Sequence, residues 1–170
     1  MRKYVILAVI LMAVVLSYFY FQLGGVSNIK KSIETVDSYQ LIATSFKGKY
    51  NGRQLEGIFH QARTLGDQLV IVNYPLLGDS TEDGYVHQLI GAQVGEVSKD
   101  IPIGFEVQEL TISRVIRATI DAHNLVMPQP KEIEEALRIF GMEQNLTLEG
   151  YTIERYISDR ELVVEIPVIE

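Results

Sequence analysis

Hydrophobic and polar positions along this chain follow three rhythms, and each predicts a different kind of element. From Tyr4 to Leu23 no charged residue interrupts the sequence. About 20 residues at roughly 1.5 Å each reach about 30 Å, the thickness of a bilayer's hydrocarbon core, so the run predicts a membrane-spanning helix. A period of two follows. Glu34–Thr44 and Glu109–Thr119 alternate β-branched or aromatic residues with polar ones, the pattern of a strand. A helical period marks Leu55, Ile58, Phe59, Ala62 and Leu65, with Gly66 where a C-terminal cap would stand. It returns in Ile133, Leu137 and Phe140, behind Pro130 at a first helical position and Glu132, Glu134 and Glu135 at the positive end of the dipole. After each helix comes a strand ending in tyrosine, Leu69–Tyr74 and Tyr151–Tyr156. A last strand closes each set, Val86–Val94 and Glu161–Val168.

The order strand, helix, strand, strand therefore occurs twice, in units of about residues 33–95 and 105–170. Glu34–Thr44 and Glu109–Thr119 both begin with glutamate and close on Ala-Thr. Leu76–Gly84, rich in Gly, Asp, Ser and Thr, reads as the turn between the first unit's last two strands, and Glu96–Gly104 as the connection between units. The expected fold is α+β: duplicated strand–helix–strand–strand units packed about a pseudo-two-fold axis with a central groove, preceded by one transmembrane helix. Residues 1–26 form the anchor and tether in this reading, and residues 27–170 the soluble domain.

Flanking residues refine the first segment. Tyr18, Phe19, Tyr20 and Phe21 cluster at its far end, where amphipathic rings favour the membrane–water interface. A cleaved secretory signal would need a shorter apolar region and small residues where the aromatic block stands. Arg2 and Lys3 precede the run while Lys30 and Lys31 follow it, which favours a single-pass anchor with the soluble domain outside the cytoplasm. The chain has no cysteine, which excludes lipoprotein attachment, disulfides and thiolate metal sites. With 15 basic and 22 acidic residues the net charge is −7, and setting Arg2 and Lys3 aside leaves the rest more acidic still. Nucleic acid is disfavoured as a partner, because phosphate neutralisation needs a basic surface. The same charge is repelled by an anionic membrane surface, so the domain is expected to stand clear of the bilayer on the Gly24–Asn28 tether.

Particular residues in the doubled pattern carry a resemblance. They are the turn at Gly150 and Tyr151, the run from Ile153 through Glu154, Arg155, Tyr156 and Ile157 to Ser158 and Asp159, the terminal Leu162–Val168, and the step Phe46–Tyr50 into the first helix. Together these resemble the GyrI-like small-molecule-binding family, which includes the effector-binding domains of AraC- and MerR-type regulators and the gyrase-inhibitory protein. The similarity covers about Ile33 to Glu170. The second unit departs from it, with Ala122–Met127 in place of a Gly-x-Tyr step, and the family's common tryptophans are missing. In the family a glutamate at the position of Glu154 binds cationic or lipophilic-cation ligands, and the resemblance implies the same here.

The residues themselves point the same way. In an extended strand Thr152, Glu154 and Tyr156 share one face, and Ile153, Arg155 and Ile157 the other. If Ile153 and Ile157 face the helices, Glu154 lines the groove between the units. Matching Tyr74 to Tyr156 sets Val72 at the position equivalent to Glu154, which predicts one carboxylate against an aliphatic wall with a tyrosine from each half. The expected ligand-binding set is Glu154, Tyr156, Tyr74, Tyr50 and Val72, suited to cations through Coulomb attraction and cation–π contact. The competing reading makes Glu154 a surface strand residue paired with a neighbouring cation. Glu34 and Glu109 read as solvated strand edges, and Gly48 as a residue needing unusual backbone dihedrals. His60, His87 and His123 have no metal-ligand spacing around them, no nucleophile elbow or phosphate loop occurs, and no cofactor is expected. Three functions follow: a membrane-tethered binding module for small hydrophobic or cationic molecules, a protein-interaction domain of the cell envelope, or a small-molecule hydrolase using Glu154 and a tyrosine. The chain lacks a second catalytic partner in this reading, so an enzyme is the least favoured.

Overall fold

The computed structural model describes residues 2–22, 29–50, 52–66, 68–76, 84–95, 100–123 and 126–169. The predicted tether Gly24–Asn28 lies outside them, as do most of Leu76–Gly84 and residues 96–99. Helix α1 spans Arg2–Gln22 and is long and apolar enough to cross a membrane; its described side chains are exposed. The domain that follows holds β1 (Lys30–Thr35), β2 (Tyr39–Lys49), α2 (Arg53–Ala62), β3 (Gln68–Asn73), β4 (Tyr85–Gln93), β5 (Glu106–Leu110), β6 (Arg114–Asp121), α3 (Pro130–Glu143), β7 (Thr152–Tyr156) and β8 (Glu161–Pro167). The class is α+β, and the described residues form one antiparallel eight-stranded sheet and three helices.

The two long strands predicted at Glu34–Thr44 and Glu109–Thr119 are each broken in two. Val36–Ser38 separates β1 from β2, and residues 111–113 separate β5 from β6. The sheet order is β1-β6-β8-β7-β3-β4-β2-β5, so each short leading strand pairs with the second strand of the other half: β1 with β6, β5 with β2. With β5–β8 matched to β1–β4, the order reads identically from either edge, and β3 and β7 meet at the centre.

This pairing dictates curvature. In a flat sheet at about 4.8 Å per strand, β1 and β2 would lie about 29 Å apart. Three linking residues reach roughly 14 Å at most. The sheet therefore curls until its edges approach, and the Val36 amide donates to the Ser113 carbonyl across the gap at 3.0 Å. Both faces become core. The concave face buries Tyr39, Leu41, Ala43, Val70, Val72, Leu89, Val115 and Ile153. On the convex face α2 packs Leu55 and Ala62 over β2 and β4, and α3 packs Ile133 and Leu137 over β6 and β8.

Local signals account for the helix ends. Pro130 opens α3, and Gln129 and Glu132 form a reciprocal capping box. Asn145 takes a left-handed backbone (φ 55°) just past its end, the conformation that stops a helix. Gly66 is not a left-handed cap, contrary to expectation. It is glycine because a Cβ there would lie 2.6 Å from the Gln93 carbonyl oxygen. Gly48 likewise needs no unusual dihedral; the Phe46 ring lies over it, 3.0 Å from where a Cβ would stand.

Candidate functional site

Helix α2 packs mainly on β2 and β4 and α3 on β6 and β8, so the central pair β3–β7 lies between the two helices, with Leu69 and Ile71 of β3 reaching the α2 cluster. The register along this seam sets Leu69 opposite Tyr156, Ile71 opposite Glu154 and Asn73 opposite Thr152. A groove of about 450 Å³ lies between α2 and this seam, lined by Tyr50, Phe59, Leu69, Ile71 and Tyr156, with Glu56, His60 and Arg63 along the helix. A second hollow of about 390 Å³ adjoins it past Arg63, Leu69 and Tyr156, towards Ser158 and Asp159.

Glu154 is buried, 7% exposed, within this seam. One carboxylate oxygen accepts from the Asn73 amide nitrogen at 2.7 Å, the other from the Tyr156 hydroxyl at 2.8 Å. Asn73 also donates to the Thr152 hydroxyl at 3.3 Å, and its own oxygen accepts from Gln88 at 2.7 Å. Among the described residues no Lys, Arg or His forms an ion pair with Glu154. Burial pushes its carboxyl above the ordinary 4.5; the bonds from Tyr156 and Asn73 oppose that rise, and Glu134 adds to it. Burial and the adjacent Glu154 also push the Tyr156 phenol well up, so it remains a hydrogen-bond donor across the physiological range. The site thus holds a desolvated carboxyl behind aromatic and aliphatic walls, which in its ionised form favours an entering cation.

Of the predicted set, Tyr156 and Tyr50 line the groove, while Glu154 lies buried behind it and reaches it through its bond from Tyr156. Val72 and Tyr74 require correction. Val72 pairs with Ile153 and is fully buried in the concave face, so Ile71 rather than Val72 is the aliphatic partner across from Glu154. Tyr74 packs on that same concave face against Tyr151 (5.7 Å between centroids) and His87 (5.0 Å). Antiparallel pairing across the seam decides both placements, and matching the two tyrosine-ended strands in sequence does not report it. The face assignment is reversed as well. Ile153 points into the curl, and Glu154 shares the helix-bearing face. From sequence, Phe59 is placed only in the apolar stripe of the first helix, and Asn73, Gln88 and Arg63 are not singled out. The one available signal was a polar residue closing the apolar run Leu69–Val72.

A second acidic cluster occupies the concave face. Glu165, fully buried, accepts from Arg117 Nε at 2.7 Å and from the Tyr39 hydroxyl at 2.9 Å, with an Arg155 nitrogen at 3.5 Å. Glu34, expected as a solvated edge, lies on the edge strand β1 and is partly exposed, and it also pairs with Arg117. Burial and then the Glu165 charge push the Tyr39 phenol up to about 12. Here two cations face two carboxylates, so the cluster is internally compensated, unlike Glu154. Among the described residues no group of three His, Asp or Glu side chains converges as a metal site.

No protein-family model and no curated protein matches the chain by sequence. Solved structures match its fold. A hydrolase from Listeria innocua superposes with a TM-score of 0.58 at 11% identity, covering 84% of this chain and 93% of that one. The protein SAV2435, bound to tetraphenylphosphonium, gives 0.54 at 18% identity over 83% and 94%. The C-terminal domain of EcmrR gives 0.59 at 9% identity over 84% and 98%. At these identities the likeness establishes a shared fold.

Proposed function

We propose that this chain is a GyrI-like receptor for small hydrophobic or cationic molecules, held at a membrane by α1. Residues 27–170 form the binding domain, two units related by a pseudo-two-fold axis through the β3–β7 seam. Glu154 supplies the counter-charge, Tyr156 holds that carboxylate in place, and Tyr50, Phe59, Leu69 and Ile71 supply aromatic and aliphatic contact. One observation carries the reading: a buried carboxylate without a cationic partner among the described residues, hydrogen-bonded to Tyr156, which lines an open groove with aromatic walls. The ligand of SAV2435, a lipophilic cation, supports that chemistry in a shared fold. The length and unbroken apolar character of α1 support the tether, and the residue charges around it support an extracytoplasmic domain.

The test is titration of tetraphenylphosphonium into the full chain in detergent micelles, with empty micelles subtracted. Saturable binding that competing lipophilic cations displace supports the receptor; heat identical to that of empty micelles refutes it. Removing residues 2–22 should move the protein from the membrane fraction to the soluble fraction, and retention in membranes refutes the tether.

A second reading is favoured by one distance. The Tyr156 hydroxyl lies within hydrogen-bond reach of Glu154, the pairing that acid–base hydrolysis would require. Hydrolytic turnover of a small ester, abolished in Glu154→Gln, would favour that reading. The open seam weighs against protein interaction as the sole role, although Ile139 and Met142 on α3 are exposed.

A further inference from the structure

The carboxylate behind the groove is joined to Tyr156 on one side and, on the other, to a chain of side-chain hydrogen bonds that crosses three neighbouring strands. Gln88 on β4 lies directly opposite Asn73 on β3, and Asn73 directly opposite Thr152 on β7, two residues before Glu154. The bonds run Gln88 Nε2 to Asn73 Oδ1, Asn73 Nδ2 to Glu154, and Tyr156 hydroxyl to the other Glu154 oxygen.

Chemistry sets the direction of this chain. An ionised carboxylate only accepts, so Asn73 must turn its NH₂ towards Glu154. Its carbonyl is then left for Gln88, which must also present an NH₂. The Gln88 oxygen therefore ends the chain. Gln88 is 7% exposed, and this oxygen is buried with no hydrogen-bond partner. Native proteins leave few buried acceptors unpaired. An unpaired one at the end of a forced chain is the cost of holding every amide upstream in one orientation.

We propose that Gln88 and Asn73 are positioning residues of the groove: Gln88 locks the Asn73 side chain so that its amide donates to Glu154, keeping the carboxylate aimed and charged for a cationic ligand. The ligand in this statement rests on the receptor reading above; the hydrogen-bond lock does not. A proton on Glu154 removes the constraint, because a carboxylic acid can donate to the Asn73 oxygen and free the amide to turn. Proton and cation then compete for the same oxygens. A cation enters as a proton leaves Glu154 for solvent, and the site's net charge is unchanged. Burial holds the carboxyl above its ordinary value and so brings this exchange nearer neutral pH. The charged and titratable groups around it are Tyr156 on its own strand, Glu134 on α3 (itself paired with Arg138), Tyr50 after β2, and Glu56, His60 and Arg63 along α2.

The experiment compares the full chain with Gln88→Met, Asn73→Ala and Glu154→Gln in detergent micelles. Tetraphenylphosphonium is titrated between pH 5 and 8 in two buffers of different ionisation enthalpy. A ¹³C titration of the Glu154 carboxyl is run without ligand. The parent should release a fraction of a proton on binding, with affinity rising with pH. Loss of one donor to the charged form should weaken binding about tenfold at mid-range pH and displace that rise upward, since donors to a carboxylate favour its ionised state. The carboxyl midpoint in Gln88→Met should move the same way, and Asn73→Ala should repeat both shifts should Gln88→Met fail to fold. Glu154→Gln should bind weakly with no pH dependence. A Gln88→Met protein matching the parent in affinity profile and carboxyl midpoint overturns the proposal. If the parent binds no tetraphenylphosphonium, the receptor reading fails and the carboxyl titration alone decides the lock: an unmoved midpoint overturns it, an upward shift sustains it.

Discussion

Replacing Glu154 with glutamine removes the ionisable carboxyl behind the groove and leaves the groove's shape almost unchanged. Glutamine fits the existing bonds, its oxygen accepting from Asn73 and its NH₂ donating to the Tyr156 hydroxyl, which can rotate to accept. A cation about 5 Å from the carboxylate is attracted by about 3 kcal/mol at an effective dielectric of about 20. Water in an open groove and incomplete ionisation reduce this to about 1–2 kcal/mol, or roughly 5- to 30-fold in affinity. Isothermal titration with tetraphenylphosphonium measures it. Stability should move the other way. In the folded protein the carboxyl sits above its ordinary 4.5, so Glu154 contributes stability that is complete below about pH 4.5 and is lost as pH rises through the folded value. Glutamine does not titrate. The melting temperature of Glu154→Gln minus that of the parent should therefore grow from pH 4.5 upward. Equal affinities, or a parent that gains on the variant as pH rises, would refute the reasoning, because either result means the charge already has a partner.

Further predictions concern neighbouring features. Tyr156→Phe removes a donor to a buried carboxylate and should cost about 1–2 kcal/mol in urea unfolding at pH 7, less near pH 4 where Glu154 is neutral; an unchanged midpoint at both pH values counts against the bond. Glu165→Ala strands Arg117 and Arg155 without their buried counter-charge and should destabilise by about 3–5 kcal/mol in the same assay; a loss below about 1 kcal/mol would mean the cluster is already solvated. Gly91→Ala sets a Cβ 2.3 Å from the Ile42 carbonyl oxygen, on a neighbouring strand that cannot give way, so a loss of about 3 kcal/mol or more is expected. A folded Gly91→Ala protein of parental melting temperature would contradict that contact.

Much of the architecture was legible in residue order. The uncharged run to Leu23 appears as α1, the Leu55–Ala62 and Ile133–Phe140 stripes as the inward faces of α2 and α3, and both tyrosine-ended strands as β3 and β7. These signals are local, since helical spacing, proline at a first turn and period-two alternation need only near neighbours to express themselves. The split of Glu34–Thr44 was not legible, because alternation continues through Val36 while the chain leaves one sheet partner for another.

Glu154 shows the same division. Its acidity, its strand and the tyrosine two residues on are properties of the sequence, and they single it out as an unusual carboxylate. The sequence does not say which way it points, because the curled sheet buries both faces and apolar neighbours no longer mark one of them as inward. Nor does it say what lies opposite, since Ile71 and Asn73 reach Glu154 from a strand about 80 residues away, and Gln88 joins them only through the β3–β4 pairing. Local chemistry named the charge. Only the closing of the sheet, imposed by two three-residue links, decided that this charge would be buried beside a groove rather than paired or washed by solvent.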